Sequence, residues 1–144
     1  MTTSNQQSNT LIQLWTQATA INRKLDANLG AIHGIGFAEF MVLHHLNASP
    51  QLMQRRIDLA SLLCRSASGI TKMLNPMEKI GLVSKEVNPR DARVSLVKLT
   101  ARGLKTYQQA SNTLNQLSTN MMLSLETADV EQLSGYLSGL NTSG

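Results

Sequence analysis

The sequence holds one cysteine, Cys64, so no intrachain disulfide and no paired-cysteine metal site can form, a usage that fits a reducing compartment. Charged residues make up only 15% and aromatics 3%, and with glycine and proline also modest this argues for an ordinary helix-rich globule rather than a disordered chain. No window approaches the apolar run needed to cross a bilayer, and Met1 to Asn9 is polar without a basic flank or an apolar signal core. The expectation is a cytoplasmic protein with no membrane partner. A nucleophile–base–orienter set, a glycine-rich phosphate loop and an HExxH pattern are all missing, which leaves an enzyme with little support and implies no cofactor. What is present is 42% hydrophobic content over 144 residues, enough to bury the core of one domain.

Positive charge is unevenly spread. Between Gln51 and Lys105 stand eleven of the thirteen Lys and Arg residues against four of the nine acidic ones, whereas the rest of the chain is net negative. A basic stretch alone is usually a solvated face; one that coincides with a groove-reading shape is an electrostatic match for phosphate.

Apolar residues at Leu11, Leu14, Trp15, Ala18, Ile21, Leu25, Leu29 and Ile32 recur at three and four and predict a first helix of roughly twenty residues, ended near Gly34-Ile35-Gly36. Phe37, Phe40, Met41, Leu43 and Leu46 restart the period in a helix that stops before Pro50. A third helix is expected over Gln54 to Leu63, burying Ile57, Leu59, Ala60, Leu62 and Leu63. Near the C-terminus, Thr100 caps a helix of roughly 24 residues with the stripe Leu104, Tyr107, Ser111, Leu114, Leu117, Met121, Met122 and Leu125. Thr127 then caps a last helix, with Val130, Leu133, Tyr136, Leu137 and Leu140 inward. Such stripes can pack within one chain or across a dimer.

Between these flanks, Ser66 is a good N-cap for a helix whose apolar face is Ile70, Met73, Leu74, Met77 and Ile80. Ala67, Ser68, Thr71, Lys72 and Asn75 are left facing outward, short enough for the helix to lie deep in a major groove, with hydrogen-bonding groups on Thr71 and Asn75 and a cation on Lys72. Taken alone, the helix reads equally well as a polar surface helix. Pro76 predicts a kink or a break. Beyond Gly81 the period changes to two: Val83, Lys85 and Val87 share one face, Ser95, Val97 and Leu99 another, so the runs Leu82–Val87 and Val94–Leu99 can pair as a hairpin. Arg90 and Arg93 fall near its tip, where arginine can enter a minor groove. Asp91 between them suits such a surface if it orients an arginine through a charge-assisted hydrogen bond.

The residues Leu59-Ala60, Ser66 to Lys72, Met77 to Val83, Asn88 to Arg93 and Leu99 to Gly103 together resemble the MarR family of bacterial transcriptional regulators. The resemblance runs through the whole chain in helix order and is most specific in a D-x-R … L-T-x-x-G signature, here Asp91, Arg93, Leu99, Thr100 and Gly103. It implies a homodimer joined by N- and C-terminal helices, a pseudo-palindromic operator in double-stranded DNA, and a pocket for an unidentified small-molecule effector between dimerisation region and reading head. Departures are Asn88 for an acidic residue at the start of the wing turn, Cys64 for a glycine between the reading helices, and Pro76 for a charged residue.

Other candidates carry plainer alternatives. Cys64 beside Arg65 can be an oxidant sensor, the preferred reading being a buried structural cysteine. His33 can line an effector pocket or cap the first helix. Glu39, His44 and His45 suggest a metal, but adjacent histidines point about 100° apart on a helix, and no metal site is expected. The seven methionines read as core or interface filler.

The expected fold is therefore mostly α, a winged helix-turn-helix of about six helices plus a two-stranded β-hairpin wing, with N- and C-terminal dimerisation helices. It divides into a polar leader at 1–9 and one domain at 10–144, with dimerisation helices at about 10–33 and 104–141 and the winged helix-turn-helix at about 37–103. The function read from it is a DNA-binding transcriptional regulator, a repressor released by a small-molecule or redox effector. DNA contacts are expected from Arg65, Ser66, Ala67, Ser68, Thr71, Lys72, Asn75, Arg90 and Arg93. The alternative is a winged-helix module that grips protein.

Overall fold

The computed structural model describes residues 3–143. Its first helix, α1 (Ser4–His33), starts at Thr3, whose hydroxyl accepts the Gln6 N–H at 3.1 Å. At 30 residues it is about 45 Å long, and it takes in Ser4 to Asn9, read above as a leader; Met1 and Thr2 lie outside the described residues. It ends at Gly34, where φ of +71° and a bond from the Gly34 N–H to the Gly30 carbonyl close the helix in a conformation that a side chain disfavours.

Next, α2 (Phe37–Asn47) leads through a single turn at Pro50–Leu52 into β1 (Met53–Arg55) and α3 (Arg56–Leu62). Here the structure departs from expectation. Met53, Gln54 and Arg55 are extended and pair with Lys98, Val97 and Leu96, so the third helix begins later and the expected two-stranded hairpin becomes a three-stranded sheet. Leu59 and Ala60 are buried, but Ile57 and Leu62 are 65% and 49% exposed. Ile57 lies about 200° around the helix from Leu59 and cannot share its face.

The helix α4 (Ala67–Lys79) starts where expected, the Ser66 hydroxyl accepting the Gly69 N–H at 3.0 Å, and buries Ile70, Leu74 and Met77. Pro76 does not divide it. The one backbone bond it forfeits is to the carbonyl of Lys72, an exposed residue where water can substitute. Ile80 falls at the helix end and is 48% exposed.

The strands β2 (Val83–Asn88) and β3 (Asp91–Leu99) pair antiparallel with Val83 opposite Leu99, Lys85 opposite Val97 and Val87 opposite Ser95, the register that the alternation predicts. The strand order is β1-β3-β2.

Thr100 joins sheet to helix. Its hydroxyl accepts the Gly103 N–H at 2.9 Å, capping α5 (Ala101–Met121), and donates toward the carbonyls of Gly81 and Leu82 at 2.6 and 3.0 Å. A Cβ at position 103 would run into the Leu82 carbonyl oxygen and the Leu99 side chain, so glycine there lets α5 press against the wing base. This is the physical content of the L-T-x-x-G spacing. The last helix, α6 (Thr127–Ser138), is capped by Glu126 rather than Thr127: the Glu126 side chain and Asp129 form a reciprocal box, with the Glu126 N–H donating to Asp129 at 2.9 Å.

Leu29, Leu43, Leu46, Leu59, Ile70 and Met77 form the centre of the core, joined by Val83, Val97 and Leu99 of the sheet and Ala110 of α5. Among the described residues of α6, none is buried, and no described helix is long and apolar enough to cross a membrane.

Candidate nucleic-acid interface

A turn at Leu63-Cys64-Arg65 sets the angle between α3 and α4, with the Arg65 N–H bonded to the Ala60 carbonyl at 2.8 Å. Cys64 adopts φ of +53°, left-handed backbone that favours glycine and costs an ordinary L-residue about 1–2 kcal/mol. That explains a glycine preference at this position. Cys64 is also exposed, which corrects the expectation of a buried structural cysteine: a left-handed residue on a tight interhelical turn projects away from the core that the two helices share.

From this turn the N-terminal half of α4 rises with Ala67, Ser68, Lys72 and Asn75 exposed and Thr71 half-buried. The Thr71 hydroxyl is already engaged, donating to the Ala67 carbonyl and accepting from Arg56 Nη1, both at 3.0 Å. The Ser66 and Ser68 hydroxyls are 3.3 Å apart.

Across a cleft from this face stands the wing. Its tip is built from two side-chain caps: Asn88 Oδ1 accepts the Arg90 N–H at 2.9 Å, and Asp91 Oδ1 accepts the Arg93 N–H at 3.0 Å. Asn88 thus does with an amide oxygen what a carboxylate would do at the start of this turn. Asp91 also grips the Arg93 guanidinium, Nε to Oδ1 at 3.1 Å and Nη2 to Oδ2 at 3.3 Å, which holds its own carboxyl below the usual range. The Arg93 side chain remains 91% exposed, aimed by Asp91 but free to meet a partner. Arg90 is exposed at the tip.

The structure therefore brings Ala67, Thr71 and Arg93 to one cleft of about 360 Å³, with Ser68, Lys72 and Asn75 on α4, Ser66 at its N-cap and Arg90 in the turn between β2 and β3. Arg65 is separate, bordering instead a polar hollow of about 500 Å³ with Asp26 of α1 and Glu39 of α2. Sequence reasoning missed Arg56. Its Nη1 donates to Thr71 of α4 and its Nη2 to Ser95 of β3, so one guanidinium braces both elements that would enter grooves. The adjacent pair Arg55-Arg56 was visible as charge, but the strand at Met53–Arg55 that aims it was not.

His33 stands in the last turn of α1, where its Nε2 meets Thr113 Oγ1 at 2.7 Å and ties α1 to α5; it does not border the two clefts described above. His44 Nδ1 bonds the Tyr107 hydroxyl at 2.9 Å within a cluster that includes Phe40. Burial, and then repulsion from His44, lower the pKa of His45. Among the described residues no group of three His, Cys, Asp or Glu side chains could hold a metal ion.

Comparison with known proteins follows the same line. The MarR family model matches residues 37–95. No curated protein matches the sequence. Among solved structures, the transcriptional regulator BldR from Sulfolobus solfataricus superposes with a TM-score of 0.84 at 20% identity, covering 97% of this chain and 100% of that one. A MarR-family regulator from Streptomyces coelicolor in complex with DNA gives 0.83 at 21% identity, covering 95% and 85%. Escherichia coli MarR in its apo form gives 0.74 at 27% identity, covering 90% and 93%.

Proposed function

We propose that this chain, which belongs to the MarR family, works as a homodimer on a pseudo-palindromic operator, represses transcription there, and is released by a small-molecule or redox effector. Members of the family are DNA-binding transcriptional regulators and not enzymes, and this chain is one of them. The observation that carries the proposal is the cleft between α4 and the wing, bordered by arginines, beside a helix face of small polar side chains. In this reading α4 enters the major groove through Ser66, Ala67, Ser68, Thr71, Lys72 and Asn75, with Arg65 beside it. The wing sends Arg90 and Arg93 into the flanking minor groove, Asp91 setting the angle of Arg93. Relatives solved with DNA include the Streptomyces coelicolor regulator and a mutant of Escherichia coli MarR with operator DNA.

Pairing is supported by surface area. A compact monomer of 15.7 kDa exposes roughly 7,300 Å², whereas this chain exposes 10207 Å². The excess has the size of an obligate dimer interface, and the dimerisation helices assigned are those at about 10–33 and 104–141. Two heads so joined address half-sites about one turn apart, ~34–36 Å. The polar hollow bordered by Asp26, Glu39 and Arg65 joins α1 to the turn before α4, a position from which a bound effector would change the spacing of the heads. A regulator of this kind works in the cytoplasm, with the chromosome.

Selection of bound sequences from random duplex DNA tests the reading. The expected product is an inverted repeat whose binding weakens steeply with salt; absence of duplex binding at low salt would instead favour a protein-gripping module.

A further inference from the structure

The cleft where α3, α4 and the wing meet carries three guanidinium groups, Arg55, Arg56 and Arg93. Two are compensated by carboxylates, Arg55 by Asp58 at 2.9 Å and Arg93 by Asp91 at 3.1 Å. Arg56 differs. It is half-buried, its contacts are the neutral hydroxyls of Thr71 and Ser95, and among the described residues no carboxylate comes within ion-pair distance of it.

Glu78 borders a small hollow with Arg56 but is paired to Lys85 at 3.4 Å, so the partly withdrawn guanidinium has no direct ion pair, and an anion entering the cleft would supply one. Three further features suit an anion. The guanidinium is a fork of five N–H donors, so donors remain beyond the two that brace Thr71 and Ser95. Ala67, the first residue of α4, stands at the rim and brings the positive end of the helix dipole. Ile70 and Val94 supply an apolar wall that lowers the local dielectric constant.

We propose that this cleft is a phosphate site in which Arg56 holds one DNA backbone phosphate, between the groove entered by α4 and the groove entered by the wing. The proposal rests on the DNA-binding reading above and adds a residue to it. Because Thr71 and Ser95 fix the guanidinium before DNA arrives, little side-chain freedom is lost on contact. Such a contact positions the head on the duplex without reading bases.

The test compares wild-type protein with Arg56→Ala, Arg56→Gln and Arg56→Lys on a fluorescent duplex of arbitrary sequence across a salt series, with circular dichroism confirming the fold. Arg56→Ala is expected to lower affinity on the order of tenfold and to make the log–log salt slope shallower by about 0.9. Arg56→Gln, whose amide can still reach the hydroxyls, is expected to lose the same slope, and it replaces the alanine variant if that one does not fold. Arg56→Lys is expected to restore the slope. An affinity loss with unchanged slope would make Arg56 a brace only and overturn the phosphate assignment. So would an Arg56-dependent thermal stabilisation by inorganic phosphate without any effect on DNA binding, which would mark the cleft as a site for a free phosphate ion. If wild-type protein binds no duplex at low salt, the DNA-binding reading itself fails, an outcome distinct from the other two.

Discussion

Leu43, Leu46 and Leu59 of the central segment are fully buried within their own chain, whereas Leu11 and Trp15 of α1 and Tyr136 of α6 are 64%, 69% and 71% exposed. The two regions carry the same kind of helical apolar stripe and meet opposite fates. From α2 to the end of β3 the chain folds back through short turns, so the core-facing side of each element is covered, by its neighbours and by Leu29 of α1 and Ala110 of α5. The N-terminal half of α1 runs on past the core, and α6 buries none of its described residues. The contrast teaches that the reading head is complete within one chain while the terminal helices are not. Charge is uneven in the same sense, with nine of the thirteen Lys and Arg residues standing between Phe37 and Leu99.

The comparison breaks most severely if the terminal stripes are made hydrophilic. Trp15→Glu combined with Leu137→Glu is expected to yield a monomer by sedimentation, with near-native helicity and an operator affinity lower by about 10²-fold or more, because the second half-site contact is no longer intramolecular. A double mutant that stays dimeric would show that the exposed stripes are not the interface. A smaller effect is expected on the head. Arg93→Ala should weaken operator binding about tenfold and leave the melting temperature unchanged, since its side chain is 91% exposed; anisotropy titration and thermal unfolding read the two separately.

Smallest is a pH effect confined to the head. His45 is held below the ordinary value of 6.5 by burial and then by His44, so its folded state favours the neutral ring. The stability it contributes is present above pH 6.5 and is lost as pH falls through its depressed folded value. His45→Gln should flatten the pH dependence of the melting temperature in that range, and an unchanged profile would remove His45 from the account.

Local chemistry made the head legible in the sequence. The caps at Ser66 and Thr100, the period of α4 and the alternation of Val83–Val87 against Ser95–Leu99 all act between residues close in the chain, and each appears in the structure. The strand at Met53–Arg55 was hidden because it is three residues long and exists only through its partner β3, more than forty residues away. Missing it also hid Arg56, whose importance lies in what it touches and not in its neighbours. Of the kink or break expected at Pro76, the break does not occur, because a lost backbone bond on an exposed helix side can be made to water. Cys64 was misread for a related reason: cysteine is commonly buried, but backbone geometry at an interhelical turn outweighed that preference.

Two heads held at a fixed distance by exposed helical flanks should accept only one spacing of half-sites. Measuring affinity for the selected operator and for a duplex whose half-sites are moved apart by half a helical turn, about 5 bp, tests it most directly. The displaced duplex is expected to bind no more tightly than a single half-site, since the second head then faces the wrong side of the helix. Equal affinity for the two spacings would contradict it.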